Sequence, residues 1–64
     1  MPKFTNAEKA KEAKREIGQR KRVYQRLVEN RQMSPADMQR KIEIMEEIAS
    51  EYDALDMKDR PELF

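Results

Sequence analysis

The stretch Met33-Ser34-Pro35-Ala36-Asp37, close to the midpoint of the chain, restricts the fold more than any other. Ser34 suits a helix N-cap, where its hydroxyl accepts a hydrogen bond from a first-turn N–H that has no intrahelical partner. Pro35 then takes the first helical position, where its missing N–H costs nothing and its fixed φ is already helical. Asp37 sets a carboxylate beside the positive end of the helix dipole, a short-chain variant of the capping box. Proline also disfavours the α conformation in the residue before it, so a helix arriving from upstream stops by about Ser34. One signal closes a helix and opens another.

Upstream, Met1–Phe4 reads as a frayed end and Thr5-Asn6-Ala7-Glu8 as a capping box. Helix 1 is expected over about 5–32, the turn at 33–34, helix 2 over about 35–57 and a tail over 58–64. In helix 1, Ala10, Ala13, Ile17, Tyr24 and Leu27 recur at helical spacing, with Arg20 and Arg31 on the same seam and Val23 and Val28 at its flanks. Its first turns offer only alanines, so weak packing is expected there. Gly18 is read as a tolerated glycine off the seam, at a cost of about 1 kcal/mol relative to alanine. In helix 2 the seam is Met38, Ile42, Met45, Ala49 and Tyr52. Lys58 and Arg60 suit the negative end of its dipole, and Pro61 stops it. Folding at 33–34 pairs residues whose numbers add to about 69. Leu27 then stands opposite Ile42, Tyr24 opposite Met45, Arg20 opposite Ala49 and Ile17 opposite Tyr52. Arg20 is expected to lay its stem over Ala49 and send its head towards Glu16 or Glu46. The apolar end Leu63-Phe64 is expected to pack on the alanine-rich start of helix 1, taken to overhang helix 2.

Apolar surface is left over. Ile44, Ile48 and Leu55 lie to one side of the helix 2 seam, and Val23 flanks helix 1 in the same way. The apolar arc of helix 2 spans about 160°, wider than one partner helix covers. Two helices of this length seldom make a stable core alone. The expected fold is therefore all-α, an antiparallel two-helix hairpin that pairs with a copy of itself into a dimeric four-helix bundle.

Composition narrows the function. The chain has no cysteine and no histidine, which removes disulfides, thiolate metal sites and the commonest general base. With one glycine there is no phosphate-cradling loop. Ser34 is explained as a cap and Ser50 falls on the polar side of helix 2, so no enzyme activity and no cofactor are expected. Glu43, Glu47 and Glu51 share one helix face, but the di-metal bundle pattern also needs histidine, and a solvated face is expected. No apolar run nears the ~20 residues of a membrane span, and no signal segment is evident, so a cytoplasmic protein is expected.

Net charge is +1, yet residues 1–31 hold ten Lys and Arg against four Asp and Glu, and residues 32–64 hold four against nine. Antiparallel packing would lay these halves together, and mutual neutralisation is the expected use of the asymmetry. The alternative is a nucleic-acid face on helix 1, with Lys14, Arg15, Lys21, Arg22 and Arg26 on phosphates. Tyr24 lies within that basic run, but as a seam residue it is not free to stack on a base. A helix-turn-helix reader would also need a third helix. The end Pro61-Glu62-Leu63-Phe64 has a Leu-Phe terminus like peptides that dock into bacterial sliding clamps, without their upstream glutamine.

Arg22-Val23-Tyr24, Met33-Ser34, Ile42, Met45, Ile48-Ala49 and Tyr52 occur together between about Arg20 and Leu55. In this set the chain resembles a family of very short helical proteins encoded by bacteriophages and prophages. That family often has a glycine near position 31, where this chain has Arg31, so a different exit from helix 1 is expected. The resemblance implies a small cytoplasmic phage or bacterial protein and carries over no activity or site. The function expected from the residues is association, through Val23, Ile44, Ile48 and Leu55, with a second copy and with a host or phage protein.

Overall fold

The computed structural model describes residues 3–59. Two helices, α1 (Asn6–Glu29) and α2 (Pro35–Lys58), pack against each other, and no strand occurs among the described residues.

Each helix begins where its cap chemistry directs. The Thr5 hydroxyl accepts from the Glu8 N–H at 3.1 Å, and the Glu8 carboxylate accepts from the Thr5 N–H at 3.4 Å, a closed capping box. Ser34 accepts from the Asp37 N–H at 3.1 Å with Pro35 next to it at the helix start, an arrangement that stabilises a helix by about 1 kcal/mol. Asp37 returns no bond to the Ser34 N–H among the described residues. Its side chain is one methylene shorter than the glutamate that closes such a box, and it acts here through the dipole alone.

Helix α1 ends earlier than proline alone requires. Gln32 donates its N–H to the Leu27 carbonyl at 2.8 Å and Arg31 donates to Val28 at 3.0 Å, the bond pair of a Schellman motif. Arg31 takes the left-handed conformation, φ 60°, that the motif demands and that glycine adopts without strain. The helix therefore stops at Glu29, short of the expected 32, because its last carbonyls are satisfied by the chain turning back on itself. Arg31→Gly is expected to stabilise the hairpin, since the roughly 1–2 kcal/mol strain of a left-handed L-residue exceeds the ~0.5–1 kcal/mol entropic cost of glycine. A urea titration followed by circular dichroism checks this, and a lower midpoint for the variant would contradict it.

Among the half-buried and buried residues of α1, a seam from Asn6 through Ala10, Ala13, Ile17, Arg20 and Tyr24 to Leu27 alternates steps of four and three. Met38, Ile42, Met45, Ala49, Tyr52 and Asp56 do the same in α2, so the two seams face each other as heptads do. Among the described residues only Ala10, Ile42 and Ala49 are buried. Ala10, at 3% exposure, is the most deeply buried of the three, contrary to the weak packing expected of the alanine-rich first turns. Small seam residues are readily closed over by long neighbours, and Lys9 reaches across to the Tyr52 ring, 5.6 Å from its centroid.

Lys14 stands 2.8 Å from Asp53 and Lys21 3.8 Å from Glu46, ion pairs at positions flanking the seams. The residues of the expected pairing, with numbers adding to about 69, are all buried or half-buried. Asn6 donates to Asp59 at 2.9 Å, which levels the free ends of the helices. The start of α1 thus has a partner and does not overhang α2. The expected packing of Leu63-Phe64 and the end Met1-Pro2 lie outside the described residues.

Candidate association surface

At about 100° per residue, Ile44, Ile48 and Leu55 lie to one side of the α2 seam, and Val23 lies to the corresponding side of the α1 seam. Antiparallel packing brings those two sides to the same face of the hairpin. Both interhelical ion pairs, Lys14–Asp53 and Lys21–Glu46, fall on the opposite face. The hairpin therefore has one polar, ion-paired face and one face with an apolar strip.

The strip is open. Val23 is 51% exposed, Ile44 46% and Leu55 44%, while Ile48 between them is half-buried. The four residues anticipated as an association face thus lie on one side, three of them exposed and Ile48 partly covered. Solvent-facing β-branched and leucine side chains in a row differ from the scattered apolar residues of an ordinary surface.

Two exposed apolar residues escaped the periodicity argument. Phe4, 55% exposed, precedes the N-cap, where a hydrophobic staple packs on the fourth helical residue. That residue is Lys9, whose ammonium is turned to Tyr52, so Phe4 keeps only Lys3 over its ring at 5.7 Å. Met57, 67% exposed, falls on the other side of the α2 seam from Ile44. The staple position was the signal available for Phe4; Met57 offered none, being an isolated residue.

The basic residues of α1 divide by direction. Lys14 and Lys21 are engaged by Asp53 and Glu46, and Arg15 lies 3.5 Å from Glu12. Arg20 donates to Glu16 at 2.8 Å. That hydrogen bond raises the Arg20 pKa above its ordinary value, so the guanidinium remains charged. Of the two carboxylates expected for Arg20, Glu46 has instead been taken by Lys21. Arg22 and Arg26 are exposed and make no ion pair among the described residues. Tyr24 is half-buried in the seam, as its spacing requires. The proposed phosphate contacts are therefore not five free cations on one surface.

Glu43, Glu47 and Glu51 are exposed, and no group of three or more metal-ligating side chains comes together among the described residues. The surface hollows are shallow, such as the one lined by Glu12, Arg15, Glu16 and Gln19. No described helix is long and apolar enough to cross a membrane. Compared with known proteins, the chain matches no protein-family model, no curated protein and no solved structure.

Proposed function

We propose that this chain is a non-enzymatic association module, pairing with a second copy through Val23, Ile44, Ile48 and Leu55 to form a four-helix bundle. One observation carries the reading: among the described residues the hairpin buries only Ala10, Ile42 and Ala49, while Val23, Ile44 and Leu55 stay exposed on one face. A core of two alanines and one isoleucine is small for an independent domain. Covering the strip would remove apolar surface worth ~25 cal/mol per Å² from water and give the hairpin a second packing layer. A homodimer is the simplest cover, because one symmetric patch suffices on both sides.

The dimer would then offer its outer surfaces, including Arg22 and Arg26, to a host or phage protein. The resemblance to short phage-encoded proteins fits a cytoplasmic role in an infected or lysogenic bacterium. Nucleic-acid binding by α1 is the weaker reading, since Lys14 and Lys21 are held by carboxylates of α2.

Sedimentation equilibrium on the chain, from about 1 µM to 1 mM, tests the proposal together with thermal unfolding over the same range. The expected result is a dimer whose unfolding midpoint rises with concentration, because the stability of an obligate dimer depends on protomer concentration. A monomer throughout, with a midpoint independent of dilution, would overturn it.

A further inference from the structure

The turn end of the hairpin carries cations that the fold does not use. Arg26 lies in the last turn of α1, Arg31 in the connection, and Arg40 and Lys41 in the second turn of α2. At 1.5 Å per residue, all four backbones stand within about 10 Å of the helix ends that the turn joins. All four are exposed, and none makes an ion pair among the described residues. The cations that do pair, Lys14, Arg15, Arg20 and Lys21, lie in the middle of α1. The pairs that weaken a nucleic-acid reading of α1 therefore leave this end untouched. Four cations against two carboxylates, Glu29 and Asp37, give the stretch 26–41 an excess of two positive charges. The negative end of α1 and the positive end of α2 meet here and offset each other, so the side chains set the potential.

Arg31 stands out among them. It is the one non-glycine residue with positive φ among the described residues, at 60°, in a turn that glycine would make with less strain. Strain that the fold does not require points to a use outside the fold. Helical side chains lean towards the helix N-terminus, which for α2 is the turn, so Arg40 and Lys41 are carried to the same end as Arg31.

The composition of this end selects the kind of partner. None of the exposed large apolar side chains, Phe4, Val23, Ile44, Leu55 and Met57, falls between 26 and 41, whereas a protein interface is built around an apolar core. Three of the four cations are arginines, whose planar fork meets two phosphate oxygens at once. Asn30, Gln32 and Gln39 stand exposed beside them as further donors. Tyr24, the nearest aromatic residue, is half-buried in the seam, so bases find no stacking platform. Such a surface reads phosphates and not base sequence.

We propose that the turn end of the hairpin, through Arg31, Arg40 and Lys41 with Arg26 at its edge, contacts the phosphate backbone of a nucleic acid. This goes beyond the association reading and does not depend on it. Fluorescence anisotropy of a labelled DNA duplex of about 20 base pairs tests it on the full chain. The expected result is binding at about 50 mM salt that weakens about 40-fold at about 200 mM, the change for three phosphates neutralised on B-form DNA. Arg31→Gly is expected to weaken binding about 5-fold and to lower the salt slope by about one. Its unfolding midpoint should be no lower than the wild type's, so the loss is not one of folding. Lys11→Gln removes one exposed cation from the other end of the hairpin and is expected to leave binding within about 2-fold. No binding at about 100 µM protein and 50 mM salt overturns the proposal. So does an Arg31→Gly chain that binds like the wild type, or a Lys11→Gln chain that loses as much as Arg31→Gly. Poly-glutamate that displaces the duplex at equal charge concentration also overturns it, by assigning the surface to an acidic protein.

Discussion

Replacing Ile42 by alanine is expected to unfold most of the protein at 25 °C. Ile42 is the one large side chain among the three buried residues of the described chain, the other two being Ala10 and Ala49. Truncating a buried isoleucine to alanine costs ~2–5 kcal/mol, part in lost transfer free energy and part in the cavity left behind. A core of this size rarely supplies more than about 3–5 kcal/mol in total. The two magnitudes are comparable, so no margin remains. Leu27→Ala is expected to cost less, because Leu27 is only half-buried. The two should be coupled in a double-mutant cycle if they meet across the seam. Urea titration by circular dichroism reads both effects. An Ile42→Ala variant with the wild-type midpoint would show that packing is centred elsewhere.

The double change Ile44→Glu with Ile48→Glu is expected to convert the dimer to a monomer. In the proposed bundle each isoleucine passes from water to an apolar contact, a gain of about 1.5–3 kcal/mol per side chain. A glutamate there would have to be buried without a partner or hold the interface open. Each substitution counts twice, since the two copies use the same patch. Ile44 is already well exposed in the hairpin and Ile48 only half-buried. The loss should therefore fall on association first, and on helicity only through the support that the partner supplies. Sedimentation equilibrium at about 100 µM gives the answer, and a double variant that remained dimeric would move the interface off this strip.

Some of this architecture is legible in the sequence because its causes are local. Thr5 with Glu8, and Ser34 with Pro35, act on backbone groups within one turn, so reading the residues in order locates both helix starts. The seams are legible for a related reason: heptad spacing fixes which residues share a face before any partner is known. Part of α1's basic character, Lys14 and Lys21, could also be assigned early, since an acidic second helix was at hand to neutralise it. The four apolar residues of the candidate surface follow from the same wheel, as positions left outside the seam.

The end of α1 was not legible in this way. A Schellman stop announces itself by glycine, and here Arg31 holds the left-handed position under strain, maintained by the closing bonds of Gln32 and Arg31. The levelled free ends, joined by Asn6 and Asp59, were not legible either. Likewise, which carboxylate each cation takes depends on distances across the hairpin: Arg20 keeps Glu16 of its own helix, and Lys21 reaches Glu46. The burial of Ala10 belongs to the same class, since a methyl group is covered only by what stands opposite it. The sequence by itself determined the helices, their caps and their faces, because those depend on backbone groups and spacing within a few turns. Tertiary structure alone decided where α1 ends and which ion-pair partners form, because these depend on how the chain turns back and on distances across the hairpin.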